Sequence, residues 1–224
     1  MSPTAITETS SEKKAAVVGV LALQGAFQEH VQLLRKAAAQ ITSTYELSFT
    51  LVKTTAQLAQ CSALVIPGGE STTMALIAER CALLEPLREF VKVARRPTWG
   101  TCAGMILLSE SANRTKKGGQ ELIGGLDVRV NRNHFGRQVE SFSVPLQLRF
   151  LGEGEKPFTG VFIRAPVVEA VLPRGDARVV AVRQGNVLGC SFHPELTGDV
   201  RMHKWWLETV IEDLKRREKL GGSV

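Results

Sequence analysis

No stretch of this chain approaches the roughly 18 consecutive apolar residues that a membrane-crossing helix needs, so no membrane span is expected. Cysteine is scarce. Cys61, Cys81, Cys102 and Cys190 stand too far apart for C-x-x-C metal pairing, and a chain of 224 residues can fold without disulfides. No metal ion and no cofactor are therefore expected, and a reducing compartment, the cytoplasm, is the simplest setting. The formal charge of +6 comes from scattered basic pairs, Lys13-Lys14, Arg95-Arg96 and Lys116-Lys117, with one cluster from Lys215 to Lys219. A nucleic-acid groove interleaves basic residues with aromatics; no such stripe exists here, so no nucleic-acid partner is expected, while an acidic patch on a protein partner stays open. The opening MSPTAITETSSEKK lacks the apolar segment of a secretory signal, and residues 1–15 are expected to form a flexible tail. Repeats, low-complexity linkers and internal boundaries are also missing, which leaves residues 16–220 as one domain.

What the chain does contain is alternation of strand and helix signals. "AAVVGVLAL" is a continuous apolar run, and "QGAFQEHVQLLRKAAA" then takes helical spacing, with Phe27, Val31 and Leu34 on one face. "LSFTLVK", "CSALVIPGG" and "PTWGT" read as further strands, and helices are expected over 72–79, 83–94 and through "AGMILLSE". From Leu122 onward the strands "LIGGLDVRV", "SFSVPLQLRF", "GVFIRAP", "VVEAVL", "ARVVAVRQG" and "NVLGCSF" follow. The last two form a hairpin signal around Gly185-Asn186, and a helix with Trp205, Leu207 and Val210 closes the chain. The expected fold is α/β: a single three-layer domain with a central mixed, mostly parallel sheet flanked by helices.

Chemistry concentrates in three places. In Gly100-Thr101-Cys102-Ala103-Gly104 a cysteine lies between two glycines at a strand-to-helix junction, the pattern of a turn that exposes a nucleophile. A buried structural cysteine is the alternative. In "CSFHPEL", Pro194 biases His193 towards extended backbone, so His193 and Glu195, two apart, are expected on one side of the chain, where a carboxylate can orient an imidazole. A histidine in a surface turn is the alternative there. "IPGGEST" ends a buried strand with two glycines, and the Gly69 and Ala103 N–H groups are the chosen oxyanion donors. The same stretch also reads as a plain turn with Ser71 or Thr72 capping a helix. His30 and His203 lie in amphipathic helices with surface or satisfied polar roles as the default, and His134 sits in a polar loop that could border the site. Cys61 and Cys190 are expected in the core and Cys81 half-buried, while Arg164, in an apolar run, needs a partner if buried.

The blocks "GTCAG", "PGGEST" and "CSFHPEL" resemble the class I (triad) glutamine amidotransferases, a flavodoxin-like fold whose cysteine, histidine and glutamate occur in this order. Together with "VGVLALQGAFQEH", "RNHFGRQVESF" and "GVFIRAP", they are similar to the glutaminase subunits of pyridoxal 5′-phosphate synthase, the PdxT/SNO family, from Val17 to the last helix. The triad blocks point to the superfamily, and "LQGAFQEH", "RNHFGRQ" and "FIRAP" to the subfamily. The resemblance implies hydrolysis of L-glutamine to glutamate and ammonia through a γ-glutamyl thioester. It implies delivery of the ammonia to a (β/α)₈-barrel synthase subunit that builds pyridoxal 5′-phosphate (vitamin B6). Carried onto this chain, Cys102 is the nucleophile, His193 the general acid/base and Glu195 its orienter. Glutamine contacts fall on Gly68, Gly69, Glu70, Ser71, Arg132, Ile163, Arg164 and Ala165, and Gln24 matches a position tied to the synthase interface and activation. The tail before Val17 and the "NRTKKGGQELIGG" stretch are longer than in short members, and neither touches the triad. Two rivals stay open, an amidotransferase or hydrolase serving other chemistry and a silent scaffold that keeps the fold for binding.

Overall fold

A computed structural model describes residues 13–113, 119–132, 141–171 and 179–221. Most of the expected tail, and His134, lie outside the described residues. The chain opens with β1 (Lys14–Leu21), α1 (Phe27–Ala38), β2 (Tyr45–Val52), α2 (Thr55–Ala59), β3 (Ala63–Ile66) and α3 (Ser71–Arg80). Next come α4 (Leu84–Arg88), a π-helical turn (Glu89–Val93), β4 (Thr98–Thr101) and α5 (Ala103–Leu108). The second half runs through β5 (Ser109–Asn113), β6 (Leu126–Asn131), β7 (Ser141–Leu146), β8 (Phe158–Ile163), β9 (Val167–Val171), β10 (Ala181–Gln184) and β11 (Val187–Cys190) to α6 (Arg201–Lys219).

Six strands form the central sheet in the order β10-β11-β4-β3-β1-β2, parallel except for β10, which returns antiparallel through the Gly185-Asn186 turn. Both faces are covered, and period-two alternation along β1 divides its side chains between them. Ala16, Val18 and Val20 join Val31 and Leu34 of α1 and Trp206, Leu207 and Val210 of α6. Leu21 and Val17 face the opposite layer with Met74 of α3, Leu87 of α4 and Met105 of α5. The three-layer α/β expectation therefore holds, with a three-stranded sheet (β5-β6-β9) and a two-stranded one (β7-β8) added. Among the described residues no helix is long and apolar enough to cross a membrane.

Strand order decides where a site can form. The chain leaves β1 for β2 on one side and returns to β3 on the other, so the β1 and β3 carboxyl ends open a crevice at the switch point. Leu21, Ile66 and Thr101 end β1, β3 and β4 at that crevice.

Several boundaries differ from expectation for physical reasons. The helix expected to run through Glu110 stops at Leu108, because Ser109 turns extended (φ −72°, ψ 151°) and its hydroxyl donates to Ile106 O at 2.7 Å. Ser109–Asn113 then pairs in parallel with β6, a partner distant in sequence. The helix expected over 83–94 is α4 followed by the wider π-turn, with Ala94 N–H donating to Glu89 O at 2.8 Å. In "LIGGLDVRV" the strand begins only at Leu126, since Gly124 and Gly125 take φ of 77° and 107°, which no strand accepts.

Candidate active site

The elbow is built by close packing. A Cβ on Gly104 would lie 2.0 Å from Ile66 O, and one on Gly100 would lie 2.5 Å from the Gly104 backbone, so only glycine lets α5 start directly over β3 and β4. Between them Cys102 adopts φ 47°, ψ −104°, a region side-chain-bearing residues rarely enter. Its N–H donates to Cys190 O of β11 at 2.8 Å, which ties the strained residue to a second strand. Cys102 is 7% exposed and lines a hollow of about 420 Å³ with Gln24, Gly68, Arg132, Arg164 and His193. A larger hollow of about 640 Å³, between the β10–β11 turn and α6, contains none of these groups; chemistry, not volume, makes the smaller one the candidate site.

His193 reaches the same hollow from the segment after β11. Its N–H donates to Val161 O at 2.8 Å, and its Nδ1 lies 2.7 Å from Glu195 Oε1. A Cβ on Gly68 would meet His193 Cε1 at 2.4 Å and Cys102 Cβ at 3.3 Å, so glycine at 68 makes room for the thiol–imidazole pair. Burial alone would lower the His193 pKa, but hydrogen bonding to Cys102 and to Glu195 outweighs it and raises the value to about 10. Burial pushes the Glu195 carboxyl up, yet His30 and His193 more than reverse this and hold it below the usual range. The expected His193–Glu195 contact is present by another route. Pro194–Leu196 form a 3₁₀ turn with proline in the first turn, so it is a turn and not strand alternation that brings Glu195 back to the imidazole.

The loop after β3 is pinned from the loop after β1. Ala26 N–H donates to Gly68 O at 3.3 Å, and Glu70 N–H donates to Gln24 Oε1 at 2.7 Å. Gly25, at φ 100°, allows the approach, since a Cβ there would meet Gly68 O at 1.8 Å. Gly69 and Ala103 both line the hollow, and Ala103 opens α5, where the first amides lack intrahelical acceptors. The cap of α3 is Glu70, not Ser71 or Thr72: its carboxylate accepts from Thr72 N–H at 3.2 Å and Thr73 N–H at 2.7 Å. Burial pushes its pKa up, but the bonds from Thr73 and Thr72 outweigh that and hold it low.

Arg132 donates to Thr72 Oγ1 at 2.7 Å and approaches Glu70 Oε1 at 3.3 Å, and its buried Nε has no partner among the described residues. Ile163 and Arg164 line the hollow, Ala165 is buried behind them, and Ser71 is buried and donates to Gln120 Oε1 at 3.2 Å. Arg164 is exposed at φ 43°, so the question of a buried counter-ion does not arise. Cys61 and Cys190 are in the core, where burial raises the Cys61 thiol to about 11 and the Cys190 thiol well above its ordinary value. Cys81 is exposed, not half-buried, because it caps the outer end of α3.

The residues missed from sequence are His30 and His203. Both are fully buried, and His30 Nε2 lies 3.3 Å from Glu195 Oε2. The available signal was position: His30 stands three residues after Phe27 and beside Val31, within the apolar stripe of α1. No group of three or more metal-ligating side chains occurs among the described residues.

The chain matches the SNO glutamine amidotransferase family over residues 20–212. The pyridoxal 5′-phosphate synthase subunit PdxT of Pelotomaculum thermopropionicum is 47% identical over 202 residues, covering 87% of this chain and 95% of the relative. The probable pyridoxal 5′-phosphate synthase subunit PDX2 of Arabidopsis thaliana is 42% identical over 229 residues, covering 87% and 86%. A crystal structure of a glutamine amidotransferase superposes with a TM-score of 0.73 at 40% identity, covering 87% of this chain and 99% of that one.

Proposed function

The chain belongs to the SNO glutamine amidotransferase family, and on that premise we propose that it is the glutaminase subunit of a pyridoxal 5′-phosphate synthase. It hydrolyses L-glutamine and passes ammonia to a (β/α)₈-barrel synthase subunit. The observation that carries this is the meeting of Cys102 and His193 in one hollow with Glu195 buried behind the imidazole, His193 being raised to about 10 between the other two.

The Cys102 thiolate attacks the carboxamide carbon of glutamine, and the Gly69 and Ala103 N–H groups hold the oxyanion. His193 gives its proton to the amide nitrogen, the C–N bond breaks, and ammonia leaves a γ-glutamyl thioester on Cys102. A water then attacks the thioester carbon and gives a proton to His193; the C–S bond breaks, glutamate departs and the thiolate returns. Glu195 fixes the His193 tautomer throughout. Gly68, Gly69, Glu70 and Ser71 shape one wall for the substrate, and Ile163, Arg164 and Ala165 the other. Arg132 supplies a cation for the α-carboxylate, supported by its buried Nε, which has no partner among the described residues. Gln24 links a partner surface to the site, supported by its hold on Glu70 N–H. Free ammonia is protonated in bulk water, so direct transfer to the synthase preserves its nucleophilicity.

The test is glutamate release from L-glutamine by the purified chain, with and without the synthase subunit, beside a Cys102→Ala control. Activity that rises with the synthase and vanishes in the control supports the proposal. Activity indifferent to the synthase points to an amidotransferase or hydrolase serving other chemistry, and silence in both conditions to a scaffold.

A further inference from the structure

Behind the triad lies a set of buried polar groups that the mechanism above does not use. His30 of α1 and His203 of α6 meet with Nδ1 of the first 3.0 Å from Nε2 of the second. The other nitrogen of His30, Nε2, is 3.2 Å from Thr101 Oγ1 and 3.3 Å from Glu195 Oε2. Both rings have 0% exposure, and Trp99 packs edge-on against each, with centroids 5.6 Å and 4.9 Å away. Glu195 Oε1 serves His193, and Oε2 is buried with no hydrogen bond among the described residues, 3.3 Å from His30 Nε2.

The tautomer follows from which nitrogen can find an acceptor. A neutral imidazole carries one N–H. If His30 carried it on Nδ1, His203 Nε2 would have to accept, and the His203 proton would sit on Nδ1, which is buried without a partner among the described residues. The bare lone pair of His30 Nε2 would then face a carboxylate oxygen at 3.3 Å. Both consequences are unfavourable in a dry interior. With the proton on Nε2, His203 Nε2–H donates to His30 Nδ1, His30 Nε2–H donates to Thr101 Oγ1, and the same N–H turns its positive end towards Glu195 Oε2 at 3.3 Å, an oxygen with no hydrogen bond among the described residues.

We propose that His30 is a positioning residue for the triad, held in its Nε2–H tautomer by His203, and that this N–H, facing the otherwise unpartnered second oxygen of Glu195, sets the carboxylate plane that orients His193 towards Cys102. This rests on the glutaminase function proposed above. The same contacts tie the site to the α1–α6 layer, since removing His30 leaves a carboxylate oxygen inside the protein with no N–H facing it, and His203 holds the His30 ring in place from α6.

Three measurements test it. In the unmodified protein, nitrogen-15 NMR of labelled histidines must show His30 protonated at Nε2 and bare at Nδ1; the reverse tautomer overturns the proposal whatever the enzyme does. In glutamate release with the synthase subunit, His30→Leu is expected to lower kcat about 10- to 100-fold with KM within about twofold, the loss expected when a reacting group is misplaced. His30→Gln, which returns a donor near the Nε2 position, is expected to recover most of that loss. Equal losses in the two variants at equal melting temperatures would show a packing role only and overturn the proposal. If His30→Leu does not fold, His203→Gln takes its place. It leaves His30 facing Glu195 but frees the tautomer, and the pH profile of Cys102 alkylation by iodoacetamide must then shift from that of the parent; an unchanged profile overturns the proposal. A parent protein inactive on glutamine would overturn the functional premise alone, because the NMR and alkylation readouts need no turnover.

Discussion

Acidification perturbs the two buried histidines before it reaches the carboxylates, and the size of the effect follows from their burial. Desolvation holds His30 and His203 at about 3, against an ordinary value of 6.5. For a histidine whose folded value is depressed, stability is complete above about pH 6.5 and is lost as pH falls towards 3, because the unfolded chain takes up protons that the folded chain refuses. Below about pH 6 the slope approaches 2.7 kcal/mol per pH unit for the pair, and the accumulated loss from about pH 6.5 to 4.5 is about 4 to 5 kcal/mol. His193 has the opposite sign. Its folded value of about 10 keeps it protonated in the folded state throughout, so it opposes the loss only near pH 6.5, where the unfolded imidazole still takes up a proton, by about 0.4 kcal/mol, and adds no slope below about pH 5.5. Glu195, held low, begins to matter only near the unfolded carboxyl range of about 4.3. Against a total of about 5 to 15 kcal/mol for a domain, such a loss moves the urea midpoint sharply. Urea unfolding by circular dichroism at several pH values between about 7 and 4.5 measures it. His203→Gln should roughly halve the slope. A change below about 1 kcal/mol over the window, or a slope untouched by the substitution, would refute the neutral buried pair.

Three further outcomes are expected. Glu195→Gln removes the anion that helps raise His193, and glutaminase kcat should fall about 10²- to 10⁴-fold with the fold intact by circular dichroism. Gly104→Ala puts a methyl 2.0 Å from Ile66 O, which cannot yield as a side chain tip would; unfolding should show a loss of about 1 to 3 kcal/mol, and displacement of the elbow should cut kcat about 10²-fold. Arg132→Met should raise KM for glutamine about 10- to 100-fold, the loss of a charge-assisted bond, and a KM unchanged in steady-state kinetics would exclude Arg132 from substrate binding.

Much of this protein was readable along the chain because its chemistry sits where local patterns end. Gly100-Thr101-Cys102-Ala103-Gly104 shows the elbow because Gly100 and Gly104 approach each other within five residues, and Pro67-Gly68-Gly69 marks the end of β3 as a turn signal, although the atoms that demand glycine at 104 and 68 are on Ile66, His193 and Cys102, distant along the chain. The apolar runs before Leu23 and Ile66 and the stripe of α1 determine a three-layer α/β domain through their periodicity alone. Tertiary structure decided what pairs at a distance. β5 exists only because β6 is there to receive it, and Glu195 meets His193 through a turn no alternation rule describes. The role of His30 depends on α6 bringing His203 against it from 173 positions away, and on Glu195 having an oxygen to spare. Burial and contact at that range are properties of the packed layers, set by how α1 and α6 share one face of the sheet, and no window of sequence contains them.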